Sequence, residues 1–175
     1  MTSEAEQLYV HNAGLVLLSP YLPHLFDRLG VLRADADGRQ HIAAPEAAAR
    51  AVHLLQYCID GRLDAPEAEV ALNKLLSGVP VATPVVPSIT ASPEDLALCD
   101  QLLHAVIANW TIIRNTSPAG LRETFLQREG LLALEADGAR LAVQRKSVDV
   151  LVDQVPWSFA LVHHRWMAGP IHVTW

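Results

Sequence analysis

Gly130-Leu131-Leu132-Ala133-Leu134-Glu135-Ala136-Asp137-Gly138-Ala139-Arg140-Leu141-Ala142-Val143-Gln144 is the stretch whose period departs from that of everything before it. Leu132 to Glu135 and Arg140 to Gln144 flank Ala136-Asp137-Gly138, and an Asp-Gly step between two such runs predicts a β-hairpin. Phe159 to His163 and Ile171 to Trp175 read as two further strands joined through Trp166-Met167-Ala168-Gly169-Pro170. Val148 to Asp153 fits a strand by the alternation of Val148, Val150 and Val152, and a two-turn helix by Leu151 and the flanking charges. The helical reading is preferred.

Upstream of Gly130 the chain carries helix punctuation, with proline near a start and glycine just past an end. Pro20 opens a segment that ends at Gly30, with Leu22, Leu25, Phe26 and Leu29 on one side. Pro45-Glu46 opens the next, where Ala48, Val52, Leu55 and Ile59 recur at helical spacing before Gly61. Asp64-Ala65-Pro66-Glu67 starts a third that stops at Gly78. Val79 to Ala91 holds Pro80, Pro84 and Pro87 among valines, so it reads as an extended surface segment dividing two sub-bundles. Ser92 then caps a long helix, with Pro93 in its first turn, Asp95 completing a capping-box-like pattern, and a stripe of Cys99, Leu102, Leu103, Val106, Trp110 and Ile113. Ser117-Pro118 caps a last helix carrying Leu121, Phe125 and Leu126. The expected architecture is α+β in one domain over 1–175: a bundle of short helices over 1–130, and a small antiparallel sheet over 131–175 packed on it.

At 175 residues and 51% hydrophobic content the chain can bury a real core. Its 13 basic and 19 acidic side chains leave a net charge of −6, against a nucleic-acid partner, which needs a basic stripe. Arg140 to Lys146 and His163-His164-Arg165 are short basic clusters that fit a solvated strand face. The apolar runs fall short of the roughly 20 residues of a membrane span. Met1-Thr2-Ser3-Glu4 has no basic region followed by an apolar one, so cytoplasmic synthesis is expected. Cys58 and Cys99 sit in apolar helical stretches and read as buried reduced thiols.

Catalytic and metal chemistry is not written at interpretable spacing. The chain has neither His-Glu-x-x-His nor Cys-x-x-Cys, and His163 and His164 point to opposite faces of a strand. Asp100 and His104 stand four apart on a helix, as a local ion pair does. A thiol or metal hydrolase using them or His163 is a competing reading. No catalytic, cofactor or metal residue is assigned, and no cofactor is expected.

The remaining polar and aromatic residues are read first as internal structure and, as the alternative, as candidate partner contacts. Asn73 and Lys74 interrupt Leu72 to Leu76. Asn73 there bridges internal hydrogen bonds or reaches the proline-rich segment or a partner, and Lys74 snorkels to water. Asn115 is read as ending the long helix, and Arg122 as reaching carbonyls or a carboxylate such as Asp153. Trp157, Trp166 and Trp175 crowd the end of the chain, either as the seam between sheet and helices or as a docking surface. The turn through Met167 to Pro170 is expected to project Trp166 away from the core, with Met167 beside it as a further candidate contact. Trp157 and Trp175 are read as lying within or at the end of strands.

Taken in order, Asn12-Ala13-Gly14-Leu15-Val16-Leu17-Leu18-Ser19-Pro20, Leu72-Asn73-Lys74-Leu75-Leu76-Ser77-Gly78-Val79-Pro80, Asn115-Thr116-Ser117-Pro118-Ala119-Gly120-Leu121-Arg122, Val155-Pro156-Trp157-Ser158 and Arg165-Trp166-Met167 resemble the tape measure protein family of contractile injection systems, phage-tail-like particles that fire a tube through a membrane. The resemblance runs from about Leu8 to Trp175. It implies an assembly protein inside the growing inner tube that sets tube length and works with the baseplate hub or spike and the tube cap, with no catalytic residues to carry over. It also leaves a homo-oligomer open, since a partner of a ring-shaped tube fits three or six copies. Length strains this role: even as one helix the chain would reach only about 260 Å at 1.5 Å per residue. A folded domain of this size spans about 40–50 Å. A terminal anchoring module, or a cargo or effector adaptor of the same particle, therefore stands beside the ruler.

Overall fold

The hairpin forms as expected, with β4 (Gly130–Glu135) and β5 (Gly138–Val143) antiparallel and Leu132 opposite Leu141. Glu135 pairs with Gly138, so the loop itself is Ala136-Asp137. Gly138 is needed on two counts: its φ of 157° is one that L side chains rarely adopt, and a Cβ there would stand 2.2 Å from the carbonyl oxygen of Pro170. The computed structural model describes residues 6–175, and the Met1 to Glu4 start lies outside them.

Around this hairpin runs a five-stranded sheet in the order β1-β4-β5-β7-β6, where β1 is Glu6–Val10, β6 is Leu161–Val162 and β7 is Ile171–Thr174. Two features correct the expected plan. First, β1 comes from the stretch read as helical and pairs with β4, Leu8 opposite Leu132. Second, β5 and β7 are parallel while every other pair in this sheet is antiparallel, so the sheet is mixed. β1 alternates between solvent and core as an edge strand should, but its five residues are too short to show a period before the helical punctuation begins. A second, two-stranded hairpin, β2 (Leu32–Ala34) with β3 (Gln40–Ile42), also falls inside the supposed helical part. Asp35 makes its turn by accepting the amides of Asp37 and Arg39, each at 2.9 Å.

One face of the sheet packs on the helical layer through Val10, Leu132, Ala139, Leu141, Val143, Val162 and Ile171. That layer consists of α1 (Leu22–Leu29), α2 (Pro45–Asp60), α3 (Ala71–Leu76), α4 (Pro93–Asn109) and α5 (Pro118–Leu121). Pro20 does not open α1; it lies inside a 3-10 stretch, Ala13–Tyr21, whose residues from Ala13 to Ser19 are all buried. The third expected helix is cut short too, because Glu67–Glu69 is a separate 3-10 turn. Gly30, Gly61 and Gly78 follow helix ends with φ of 72°, 80° and 71°, the left-handed turn that terminates a helix without a Cβ clash.

Helix α4 matches its expected face: Cys99, Leu102, Leu103, Val106 and Trp110 are buried, and Ser92 Oγ accepts the Asp95 amide at 3.1 Å. It ends at Asn109 rather than Asn115, and Ile113 joins the core from a 3-10 turn, Thr111–Ile113. The proline-rich segment from Val79 to Ala91 contains no helix or strand, but it does not divide the bundle. Arg50 holds Asp95 across it at 3.0 Å, and Cys99 Sγ approaches the Leu54 carbonyl, so α2 and α4 pack directly together. Val148 to Asp153 is neither strand nor α-helix. It forms two 3-10 turns, Ser147–Val150 and Val152–Gln154, which bury Asp149 and Val152.

Candidate docking site

All four indole N–H groups donate to acceptors inside the fold: Trp110 to the Leu151 carbonyl at 3.0 Å, Trp157 to that of Leu17 at 3.0 Å, Trp166 to that of Leu76 at 2.7 Å, and Trp175 to Asp149 Oδ2 at 2.8 Å. These bonds staple the end of the chain to the helical layer. The three late tryptophans are thus the seam, but their rings are not equally covered. Trp166 is only 7% exposed, against Phe26 (centroids 5.3 Å apart) and stacked on His164 at 4.7 Å with 10° between planes. The expected projection of Trp166 is therefore overturned, and the candidate contact Met167 is also only 7% exposed: the turn folds inward because the Leu76 carbonyl at the end of α3 accepts the indole hydrogen bond.

Trp157 and Trp175 keep part of their rings at the surface, and the fold brings them together. With Phe159, Val173, Ser158 and Ala160 they line an open cleft of about 430 Å³ at the β6–β7 end of the sheet. Phe159 meets Trp175 edge-on, centroids 5.7 Å apart at 71°. Trp157 is braced from behind by Tyr21 at 5.4 Å and by Trp110 at 6.5 Å, both edge-on. Tethered by their N–H groups, neither indole is free to rotate away, so the cleft is formed before any partner arrives.

A buried ion pair supports the Trp175 side. Arg128 and Asp149 are both fully buried and bonded twice, Nη1 to Oδ2 at 2.5 Å and Nη2 to Oδ1 at 2.8 Å. Arg128 also donates to the carbonyls of Thr124 and Gln144 and stacks its guanidinium 5.3 Å from the Trp175 ring. Burial alone would push the Asp149 carboxyl up. The Arg128 guanidinium, the Lys146 amide and the Trp175 indole together outweigh burial and hold it below the ordinary carboxylate range. Sequence reasoning missed this pair. Its signals were an acid set between valines, Val148-Asp149-Val150, and an arginine just after buried Phe125 and Leu126.

A model of the contractile injection system tape measure protein family matches residues 1–175. The chain belongs to this family. No curated protein and no solved structure gives a match. For a tape measure family member the remaining expected contact residues are placed inward. Asn73 is wholly buried and donates to the Val52 carbonyl at 3.0 Å and to Gln56 at 3.2 Å, while accepting from Asn12 at 2.7 Å. The internal bridge is the reading that holds for it.

Lys74 does not snorkel. Its side chain is 1% exposed, and its ammonium donates to Glu67 and to the Val81 carbonyl at 3.0 Å, clamping the proline-rich segment to α3. Arg122 reaches the carbonyls of Tyr57 and Cys58 at 2.8 and 3.1 Å, whereas Asp153 pairs with Arg145. Asp100 accepts from the Tyr57 hydroxyl at 3.0 Å, and the expected ion pair with His104 is not formed. Cys58 and Cys99 are free and fully buried, and a hydrogen bond with Cys99, together with burial, pushes the Cys58 thiol well up. Among the described residues no group of three or more His, Cys, Asp or Glu is placed to hold a metal ion. Among those residues no helix is long and apolar enough to cross a membrane.

Proposed function

We propose that this tape measure family member is a docking module in the assembly of a contractile injection particle, seating the Trp157–Phe159–Trp175 cleft on a hub or spike, tube or cap protein. The family match supports the particle. The observation that carries the docking mode is the pair of half-exposed indoles held by internal hydrogen bonds, since rigid aromatic anchors dominate protein interfaces. The role calls for no catalytic step, which fits His53 and His164 being taken up in internal hydrogen bonds and both thiols being buried. Bound stoichiometric zinc, lost in Asp100→Ala and His104→Ala, would contradict that part.

A compact shape favours docking over measuring. The longest helix, α4, has 17 residues and is about 26 Å long at 1.5 Å per residue. The same observation supports a cargo or effector adaptor. Particles assembled without the chain separate the readings. Docking in assembly predicts few or no complete particles, a ruler predicts tubes of altered length, and an adaptor predicts normal tubes that lack cargo.

A further inference from the structure

A second opening lies at the other end of β7, where sheet and helical layer part. Its floor is the last inward-facing row of the sheet, Glu6-Leu134-Ala139-Ile171, registered across β1, β4, β5 and β7. Its opposite wall is Leu75 with Val79 and Val81 of the proline-rich segment. The cavity is about 520 Å³. Two loops close its base by interlocking: a Cβ on Gly169 would stand 2.3 Å from the Asp137 carbonyl oxygen, and the Ala139 amide donates to the Pro170 carbonyl at 2.9 Å. The groove is consequently preformed.

Its charge is one-sided. Glu6, Glu135 and Asp137 stand among the lining residues and, among those described, no Lys, Arg or His does. Glu135 is taken by Arg140 at 2.6 Å, which leaves Glu6 and Asp137 as the acidic lining residues available to an incoming group. Glu6 occupies a core-facing position in an otherwise apolar row. An inward acid on an edge strand opposes pairing with a second copy of the same strand, and a net charge of −6 adds to that repulsion.

We propose that this groove binds an extended apolar segment of another protein that carries a lysine or arginine beside its apolar residues, the cation turned toward Glu6 and Asp137. The proposal does not rest on the aromatic cleft, which faces the opposite end of β7.

Two short peptides test it on the full chain by amide shift mapping: valine-leucine-valine flanked by lysines, and the same core flanked by glutamates. The lysine-flanked peptide should shift the amides of Val79, Val81 and Ala82, of Ala136 to Ala139, and of Ala168, Gly169 and Ile171, and the glutamate-flanked one should not. Glu6→Gln should weaken binding by about threefold to fivefold, as removal of an exposed ion pair does. Ala168→Arg, at an exposed rim position, should weaken it on the order of tenfold or more by placing like charge in the path. Ala82→Arg serves in its place should that variant melt early. Ala160→Arg, in the aromatic cleft, should leave peptide binding unchanged. Equal binding of both peptides, shifts confined elsewhere, or no shifts would overturn the proposal. So would self-association abolished by Ala168→Arg, which assigns the groove to a second copy, or binding that emerges only on removal of residues 1–5, which assigns it to the chain itself.

Discussion

Trp166 and Trp175 flank β7, one before it and one after, and each gives its indole proton to an internal acceptor, yet one ring is enclosed and the other is left half-open. The acceptor makes the difference. The Leu76 carbonyl belongs to the helical layer, so reaching it draws Trp166 between sheet and helices, against Phe26 and His164. Asp149 sits in a 3-10 turn at the sheet's margin, so Trp175 is covered by Arg128 and Phe159 while part of its ring stays at the surface. A turn rich in glycine and proline says little about which way its neighbour points; the location of the unpaired acceptor decides.

Asp149→Asn should have the largest effect on this comparison. It leaves the Arg128 guanidinium buried without its counter-charge, which costs about 3–5 kcal/mol. Urea unfolding checks it, and a parent-like midpoint would mean the pair is not the support of the cleft. Trp166→Phe should follow at about 1–3 kcal/mol, from a buried carbonyl left unpaired and lost ring volume. Trp175→Phe should cost less, about 0.5–1.5 kcal/mol, because Asp149 keeps its bonds from Arg128 and the Lys146 amide when the indole is lost. Equal losses in the two variants would erase the distinction between the rings.

The same two regions differ in their response to acid. His164 is held below its ordinary value, chiefly by burial, with the Ser19 hydrogen bond opposing and His163 assisting. Its neutral ring therefore stabilises the fold fully above the unfolded histidine value of about 6.5, and that contribution fades as pH falls below it. Asp149, also held below its ordinary value, contributes fully above the unfolded value of about 3.9 and is lost only in stronger acid. Thermal melts from neutral pH downward should thus weaken the Trp166 side before the Trp175 side. His164→Gln should flatten the first decline and leave the second. At the small end, Leu161→Ser on exposed β6 should stay within about 0.5 kcal/mol of the parent in a thermal melt.

Much of this was legible in the sequence where a local rule acts alone. The Ser92 cap, the α4 stripe and the β4–β5 hairpin needed only neighbours in the chain. The resemblance likewise extends to the whole chain. What escaped depends on residues far apart. β1 becomes a strand because β4 offers it an edge, and Lys74 is buried because Glu67 and the Val81 carbonyl await it. Trp157 and Trp175 were candidates from the outset, but Phe159 and the Arg128–Asp149 pair that complete their cleft follow from tertiary packing, which has no period to read.

The cleft's role as a docking site is tested most directly by placing a charged chain in it without touching its aromatic frame. Ala160 is exposed and lines the cleft, so Ala160→Arg should melt with the parent. Calorimetric titration against the purified tube, hub-spike and cap proteins of the particle should then show one partner whose affinity falls by about 2 kcal/mol, roughly thirtyfold. Parent-like affinity for every partner that the parent binds, in a variant that is folded and has its cleft blocked, would contradict the account.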